Sequence, residues 1–312
     1  MDDYLGRVEA TGLLIARDDT ILIERYQYGR TDRHRFTSWS MAKTVTAMLI
    51  GIALAEGKIG SVEDLAESYL PELKGTQYGA TTLRRLLTMS SGVQFREVYD
   101  GMDDSMQLGR DTFAPQGVGG LASVQRFNER AAPAGTRFSY ASAETEVLGL
   151  VLERATGRPL ADYLSEKIWQ PIGAEADASW LIDSQGKEIG YCCLNAVLRD
   201  YARLGLLLAH DGNWRGRQLI PAQWLIEATT VRPGDRHLKP TGGFFGYGYQ
   251  VWIVPGERRQ FVLRGIRGQM LFVDPAARLV MVQTSVRPAL RDLTSDAETL
   301  GLWRAAVAQL AE

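Results

Sequence analysis

The sequence predicts an α/β (α+β) chain in which an antiparallel sheet is assembled from both ends and a helical lobe is inserted between them. Three observations carry this expectation. Paired apolar runs lie near the N-terminus, helical periodicity dominates from about 61 to 180, and strand-like runs return after 246. The expected division is a sheet lobe from 1–60 and 181–312, with a mainly helical lobe at 61–180.

The elements follow in order. Gly12 to Ala16 and Ile21 to Tyr26 are short apolar runs separated by Arg17-Asp18-Asp19-Thr20, which reads as a hairpin. Ser40 to Gly57 lacks proline and is rich in Ala, Met and Leu, so a largely buried helix is expected, closed by Gly57. Val62 to Leu70, Thr82 to Thr88, Glu144 to Thr156 and Leu160 to Trp169 read as helices. Residues 95–120 are polar and read as a long surface loop of the kind that carries substrate contacts. One more helix is expected from Asn195 to His210. Four strands are expected at 246–253, 260–264, 269–273 and 279–283, followed by a final helix from Leu300 to Leu310.

Composition bounds the function. The 312 residues hold 45% hydrophobic and 23% charged side chains, with a net charge of -2, an ordinary globular balance. No basic footprint for nucleic acid is present, and no apolar run reaches the length of a membrane span. Met1-Asp2-Asp3-Tyr4 lacks the basic-then-apolar pattern of a signal peptide, so a cytoplasmic location is the default expectation. The two cysteines, Cys192 and Cys193, are adjacent and read as two buried small hydrophobes rather than a staple.

The candidate chemistry begins at Ser40. A serine hydroxyl needs a base to become a nucleophile, and Lys43 stands on the same helical face three residues on. A lysine serves as that base only when burial disfavours its charged form. Ser-x-x-Lys alone more often means a helix cap and a surface lysine. Here the helix is too apolar for a surface one, so its first-turn lysine is costly unless used or paired. Tyr140, in Phe138-Ser139-Tyr140-Ala141-Ser142, offers a phenol for proton transfer, and Ser142 a contact to Lys43 or substrate. The bland meaning of that segment is a packed aromatic and a helix cap. Gly265-Ile266-Arg267-Gly268-Gln269 leads into a strand, where a glycine permits close substrate approach and the Gln269 N–H can pair with that of Ser40 as an oxyanion hole. Its bland meaning is a hairpin turn with a solvated Arg267. No Gly-x-Ser-x-Gly elbow is present, and none of His34, His210 and His237 sits where a Ser-His-Asp triad needs one. No Cys or His spacing suits zinc.

These three elements, in this order, resemble the motifs of the penicillin-recognising serine hydrolases. That group includes class C β-lactamases, DD-peptidases, family VIII carboxylesterases and 6-aminohexanoate-dimer hydrolase. Flanking text agrees: Phe36-Thr37-Ser38-Trp39-Ser40-Met41-Ala42-Lys43-Thr44, Leu86 to Gly92, Ile168 to Gly173, Arg199 to Gly205 and Gly246 to Gln250. The resemblance spans about residues 10–290 and is strongest to the 6-aminohexanoate-dimer hydrolase branch. It implies a β-lactamase/transpeptidase-like fold with the active site in the cleft between the two lobes, an acyl-enzyme on Ser40, and acid/base work shared by Lys43 and Tyr140. It also implies an oxyanion hole from the Ser40 and Gln269 amides, and no metal or organic cofactor. Ser142, Arg267, Gly268 and Tyr247 are the expected substrate contacts, with Trp180 and Trp252 as nearby walls. Two departures stand out: Ser142 replaces the usual Asn, and Ile266 occupies the position of the usual third-motif lysine. That lysine helps bind a substrate carboxylate in β-lactamases, so a small-molecule ester or linear amide is the expected substrate. A β-lactamase or D-amino-acid peptidase is the alternative, and a non-catalytic ligand-binding homologue a further one.

Overall fold

The computed structural model describes residues 1–240 and 245–310. The expected N-terminal hairpin is present as β1 (Ala10–Arg17) and β2 (Thr20–Tyr26). Short β3 (Phe36–Thr37), β4 (Ser179–Trp180), β5 (Leu194–Ala196), β6 (Asn213–Trp214) and β7 (Arg217–Gln218) follow. The C-terminal part supplies β8 (Gly246–Tyr247), β9 (Trp252–Ile253), β10 (Phe261–Gly265), β11 (Gln269–Asp274) and β12 (Leu279–Ser285). Among the described residues the main sheet has seven strands in the order β2-β1-β12-β11-β10-β9-β8, so β1 joins the C-terminal strands through β12. Its β1–β12 register sets Leu14 opposite Val282 and Ile15 opposite Met281.

Burial explains why these strands read as continuous apolar runs rather than as alternations. The helix α1 (Asp2–Arg7) and the C-terminal helix α10 (Leu293–Leu310) cover one face, where Leu13, Ile15, Met281 and Phe272 pack around the buried Trp303. The helix α8 (Leu198–Ala209) covers the other face, against Leu14, Leu271, Val280 and Val282. With both faces covered, the central strands β1, β11 and β12 are buried and mostly apolar, while the edge strand β2 stays largely exposed.

The remaining helices are α2 (Ala42–Ala55), α3 (Leu83–Leu87), α4 (Asp104–Phe113), α5 (Gly120–Val124), α6 (Ser142–Thr156), α7 (Leu160–Leu164) and α9 (Ala222–Ala228). Among the described residues, no helix is long and apolar enough to cross a membrane. Three expectations need correction. Residues 62–70 hold only a short 3-10 turn, because the Ala66 and Glu67 amides bond to the carbonyls of Thr81 and Gly79 instead of their own helix. Residues 95–120 are not a structureless loop. Asp103 accepts the Met106 amide as an N-cap and opens α4. Finally, Cys192 and Cys193 are buried but joined to each other as a disulfide; Cys193 adopts a left-handed conformation with φ 71°.

Helix α2 runs through the middle of the molecule, buried along almost its whole length. Its Gly51 is required by packing. The Trp224 indole of α9 lies flat over it and donates its N–H to the Ala47 carbonyl at 3.1 Å. A Cβ at 51 would come within 2.4 Å of three atoms of that ring. Gly51→Ala is expected to cost about 1–3 kcal/mol through overpacking, against the small helical gain that alanine normally brings. A denaturant midpoint equal to or above that of the parent protein would contradict this packing.

Candidate active site

The nucleophile candidate sits in a 3-10 turn, Trp39–Met41, that leads directly into α2. Trp39 takes φ 43°, a conformation that L residues with bulky side chains avoid. Surrounding hydrogen bonds hold it there. The Ser38 amide donates to the Leu194 carbonyl at 2.8 Å, and the Cys193 amide donates to the Trp39 carbonyl at 3.2 Å. These bonds extend the small sheet in which β3 pairs with β5. On the other side, Gly265 at the end of β10 lies against Ser38 and Trp39, where any Cβ would collide. Gly265, just before Ile266-Arg267-Gly268, therefore makes room for the turn that carries Ser40.

Lys43 is 1% exposed. Its Nζ donates to Ser40 Oγ at 3.0 Å and to the Tyr191 carbonyl at 3.0 Å. It lies 5.2 Å from the ring centroids of both Tyr140 and Tyr191. Burial pushes the ammonium down to about 8, while the carboxylates of Glu97 and Glu146 pull it the other way. Tyr140 moves in the opposite sense. Burial and the negative charge of Glu97 hold its hydroxyl above the ordinary phenol range, with Ser40 a hydrogen-bonding neighbour. The amine is thus the group that gives up its proton first.

Ser40 and Tyr140 line a cleft of about 700 Å³ with Glu97, Trp252, Gly268 and Arg291. Tyr140 stacks on Trp252 with ring centroids 5.5 Å apart, and Arg264 lies over the Trp252 ring at 5.3 Å. The Arg264 guanidinium is paired with Asp296 at 2.5 Å.

The other expected contacts divide. Gly268 lines the cleft, and buried Gln269 follows it at the start of β11. Ser142 does not reach Lys43. Its amide and hydroxyl both donate to the Glu97 carboxylate, at 2.6 and 2.8 Å. Tyr247 is 2% exposed and stands behind the cleft wall, packed on Phe138, Tyr140 and Trp252. Arg267 points away from the cleft. Its guanidinium donates to the carbonyls of Arg287 and Pro288, both at 2.9 Å, and its left-handed backbone turns it there. Trp180 is buried with its indole N–H on the carbonyls of Ile189 and Cys192, so of the two tryptophan walls only Trp252 lines the cleft.

Sequence reasoning missed Glu97. It lies in the 95–120 segment among Asp100, Asp103 and Asp104, and nothing local distinguishes it from those acids. In the fold it is 7% exposed, accepts the Tyr99 hydroxyl at 2.6 Å, and caps α6 just beyond Tyr140.

Comparison with known proteins identifies the family. A family model described as Beta-lactamase matches residues 2–301. The 6-aminohexanoate-dimer hydrolase of Paenarthrobacter ureafaciens is 28% identical over 302 residues, 92% of this chain and 76% of that protein. Esterase EstB of Burkholderia gladioli is 31% identical over 180 residues, 51% of this chain and 44% of that protein. A solved structure named "Putative 6-aminohexanoate-dimer hydrolase from Bacillus anthracis" superposes with a TM-score of 0.89 at 27% identity, over 99% of this chain and 82% of that one. The octameric penicillin-binding protein homologue from Pyrococcus abyssi shares the fold, with a TM-score of 0.75 at 16% identity over 97% of this chain and 76% of that one. The chain belongs to the beta-lactamase family, has the β-lactamase/transpeptidase-like fold, and is a serine hydrolase.

The buried environment of Lys43 is directly measurable. With isotope-labelled lysine, the Lys43 resonance is expected to titrate near pH 8. Glu97→Gln is expected to move that midpoint lower, because the carboxylate at 97 favours the ammonium. A midpoint that stays put or rises in the variant contradicts the electrostatic contact.

Proposed function

We propose that this beta-lactamase-family serine hydrolase cleaves small esters or linear amides through an acyl-enzyme on Ser40. One observation carries the reading: a wholly buried lysine amine stands 3.0 Å from Ser40 Oγ, with its proton affinity lowered. A neutral Lys43 takes the proton from Ser40 as Oγ attacks the substrate carbonyl carbon. The oxyanion formed is held by the backbone amides of Ser40 and Gln269. Tyr140, kept as a phenol, passes a proton to the leaving alcohol or amine and recovers one through Lys43. Water then attacks the acyl carbon by the reverse proton route, releasing the acid and restoring Ser40.

The substrate class rests on what surrounds the nucleophile. Ile266 stands at the third-motif position that is lysine in β-lactamases, and Arg267 spends its charge on backbone carbonyls. The site therefore lacks the third-motif cation that favours β-lactams. Apolar Phe95, Val98, Phe138, Trp252 and Ile266 line the cleft, which suits an extended apolar chain. The relatives named as a 6-aminohexanoate-dimer hydrolase and an esterase support the same direction.

Two outcomes are expected. Ser40→Ala lowers kcat/KM for a p-nitrophenyl acyl ester by roughly a thousandfold or more, and Lys43→Ala is nearly as damaging. Retained turnover in Ser40→Ala sinks the mechanism. In the parent enzyme, kcat/KM rises with pH through about 8, because the neutral amine of Lys43 is the active form and its folded pKa sets the acid limb. A profile that is flat from pH 6 to 9, roughly the range spanned by the limb, removes Lys43 from the base role. Nitrocefin turnover at or above that of the esters overturns the substrate assignment.

A further inference from the structure

We infer that Glu146, a buried acid outside the cleft, is a positioning residue that holds the backbone turn on which Lys43 is anchored. This rests on Lys43 acting as the base, as proposed above. The chain of contacts is short. The Lys43 ammonium donates to the Tyr191 carbonyl at 3.0 Å. The preceding residue, Gly190, is clamped from both ends: its amide donates to Glu146 Oε2 at 3.0 Å, and its carbonyl accepts the Thr46 hydroxyl at 2.7 Å. Thr46 lies on the same face of α2 as Lys43, three residues on. The 190–191 turn is thus stapled to α2 by Thr46 and to α6 by Glu146, and it presents one carbonyl to the lysine.

The turn must be a close fit. A Cβ on Gly190 would meet the Gly149 Cα at 3.1 Å and the Thr145 carbonyl at 3.2 Å, so the backbone itself packs on α6. In that dry contact, the Gly190 amide has no route to water, and Glu146 is the side chain that satisfies it. The acid is 1% exposed. Its other oxygen, Oε1, has no hydrogen-bond partner among the described residues and rests on the Cα of Gly120, where a Cβ would collide with it.

A glutamine would bond the Gly190 amide equally well, so the acid has a second consequence. The charged or titratable groups facing it are Lys43 from α2, Asp183 and Tyr191 from the segment it clamps, and Glu153 from its own helix; Glu97 faces Lys43 from the far side. Burial pushes Glu146 up to about 8, with Asp183 acting in the same sense and Lys43 against it. An ionised Glu146 favours Lys43 as the ammonium, and a neutral side chain at 146 removes that pull.

Glu146→Gln and Glu146→Ala separate these roles, with kcat taken per active site titrated at Ser40. Glu146→Gln is expected to keep Tm and KM near the parent values and to move the acid limb of kcat/KM, and the Lys43 NMR midpoint, lower by about half a unit or more. Glu146→Ala leaves the Gly190 amide unsatisfied and is expected to lower kcat roughly ten- to a hundredfold with KM within about twofold, as the amine loses its alignment. If Glu146→Ala lowers Tm alone while kcat per active site and the limb stay unchanged in both variants, Glu146 is a packing residue and the inference fails. Ser40→Ala assayed in parallel identifies the other failure: retained turnover there overturns the Lys43 reading beneath this one.

Discussion

A lysine amine held dry is the constraint around which this molecule is organised. An ammonium in an apolar slot is costly, and its hydrogen-bonding capacity must be met by protein atoms. Here two acceptors are supplied, Ser40 Oγ from the preceding turn and the Tyr191 carbonyl from a segment 148 residues away in sequence. Placing that distant carbonyl requires the rest of the architecture. The three-stranded sheet β3-β5-β4 ties the residues before Ser40 to those just after Tyr191. Helix α6 and helix α2 sandwich Gly190, and Trp224 closes over Gly51 behind α2. The burial that results lowers the proton affinity of the amine.

The same logic explains where polar side chains were moved away from the cleft. Ser142 gives both of its donors to Glu97, so it serves the helix N-terminus and not the amine. Arg267 is consumed by carbonyls at 287 and 288, and Arg264 by Asp296. Beside Ser40 and Tyr140 the cleft wall includes an aromatic and aliphatic patch: Tyr140 on Trp252, with Phe138 edge-on to Trp252 at 5.9 Å and Ile266 in the same lining. Such a wall excludes water and strengthens the few electrostatic contacts that remain.

Acidic residues carry most of what sequence inspection did not separate from surface charge. Glu97, Glu144 and Glu146 are all buried. Glu144 accepts the Ser91 hydroxyl at 2.6 Å and is held well above the usual carboxylate range by burial. In the sequence, Glu144 and Glu146 sit at the start of an amphipathic helix, where acids ordinarily face water and complement the helix dipole. Only the packing of α6 against the 183–191 segment and the 91–97 strand-like stretch turns them inward.

The sequence by itself determined the fold class, the origin of the sheet in both ends of the chain and the local pairing of Ser40 with Lys43. The hairpin at 10–26, the apolar helix from 42 and the runs at 261–285 are set by short-range periodicity, and Ser40 beside Lys43 is set by helical geometry over three residues. Tertiary structure alone decided the rest. The loss of helix at 62–70, the turning away of Arg267, the burial of Tyr247 and the roles of Glu97 and Gly190 all depend on partners outside the local segment. The physical reason is that burial and hydrogen-bond satisfaction are properties of a three-dimensional neighbourhood. A one-dimensional pattern reports which side chains are polar, and only the folded chain reports which of them have lost their water.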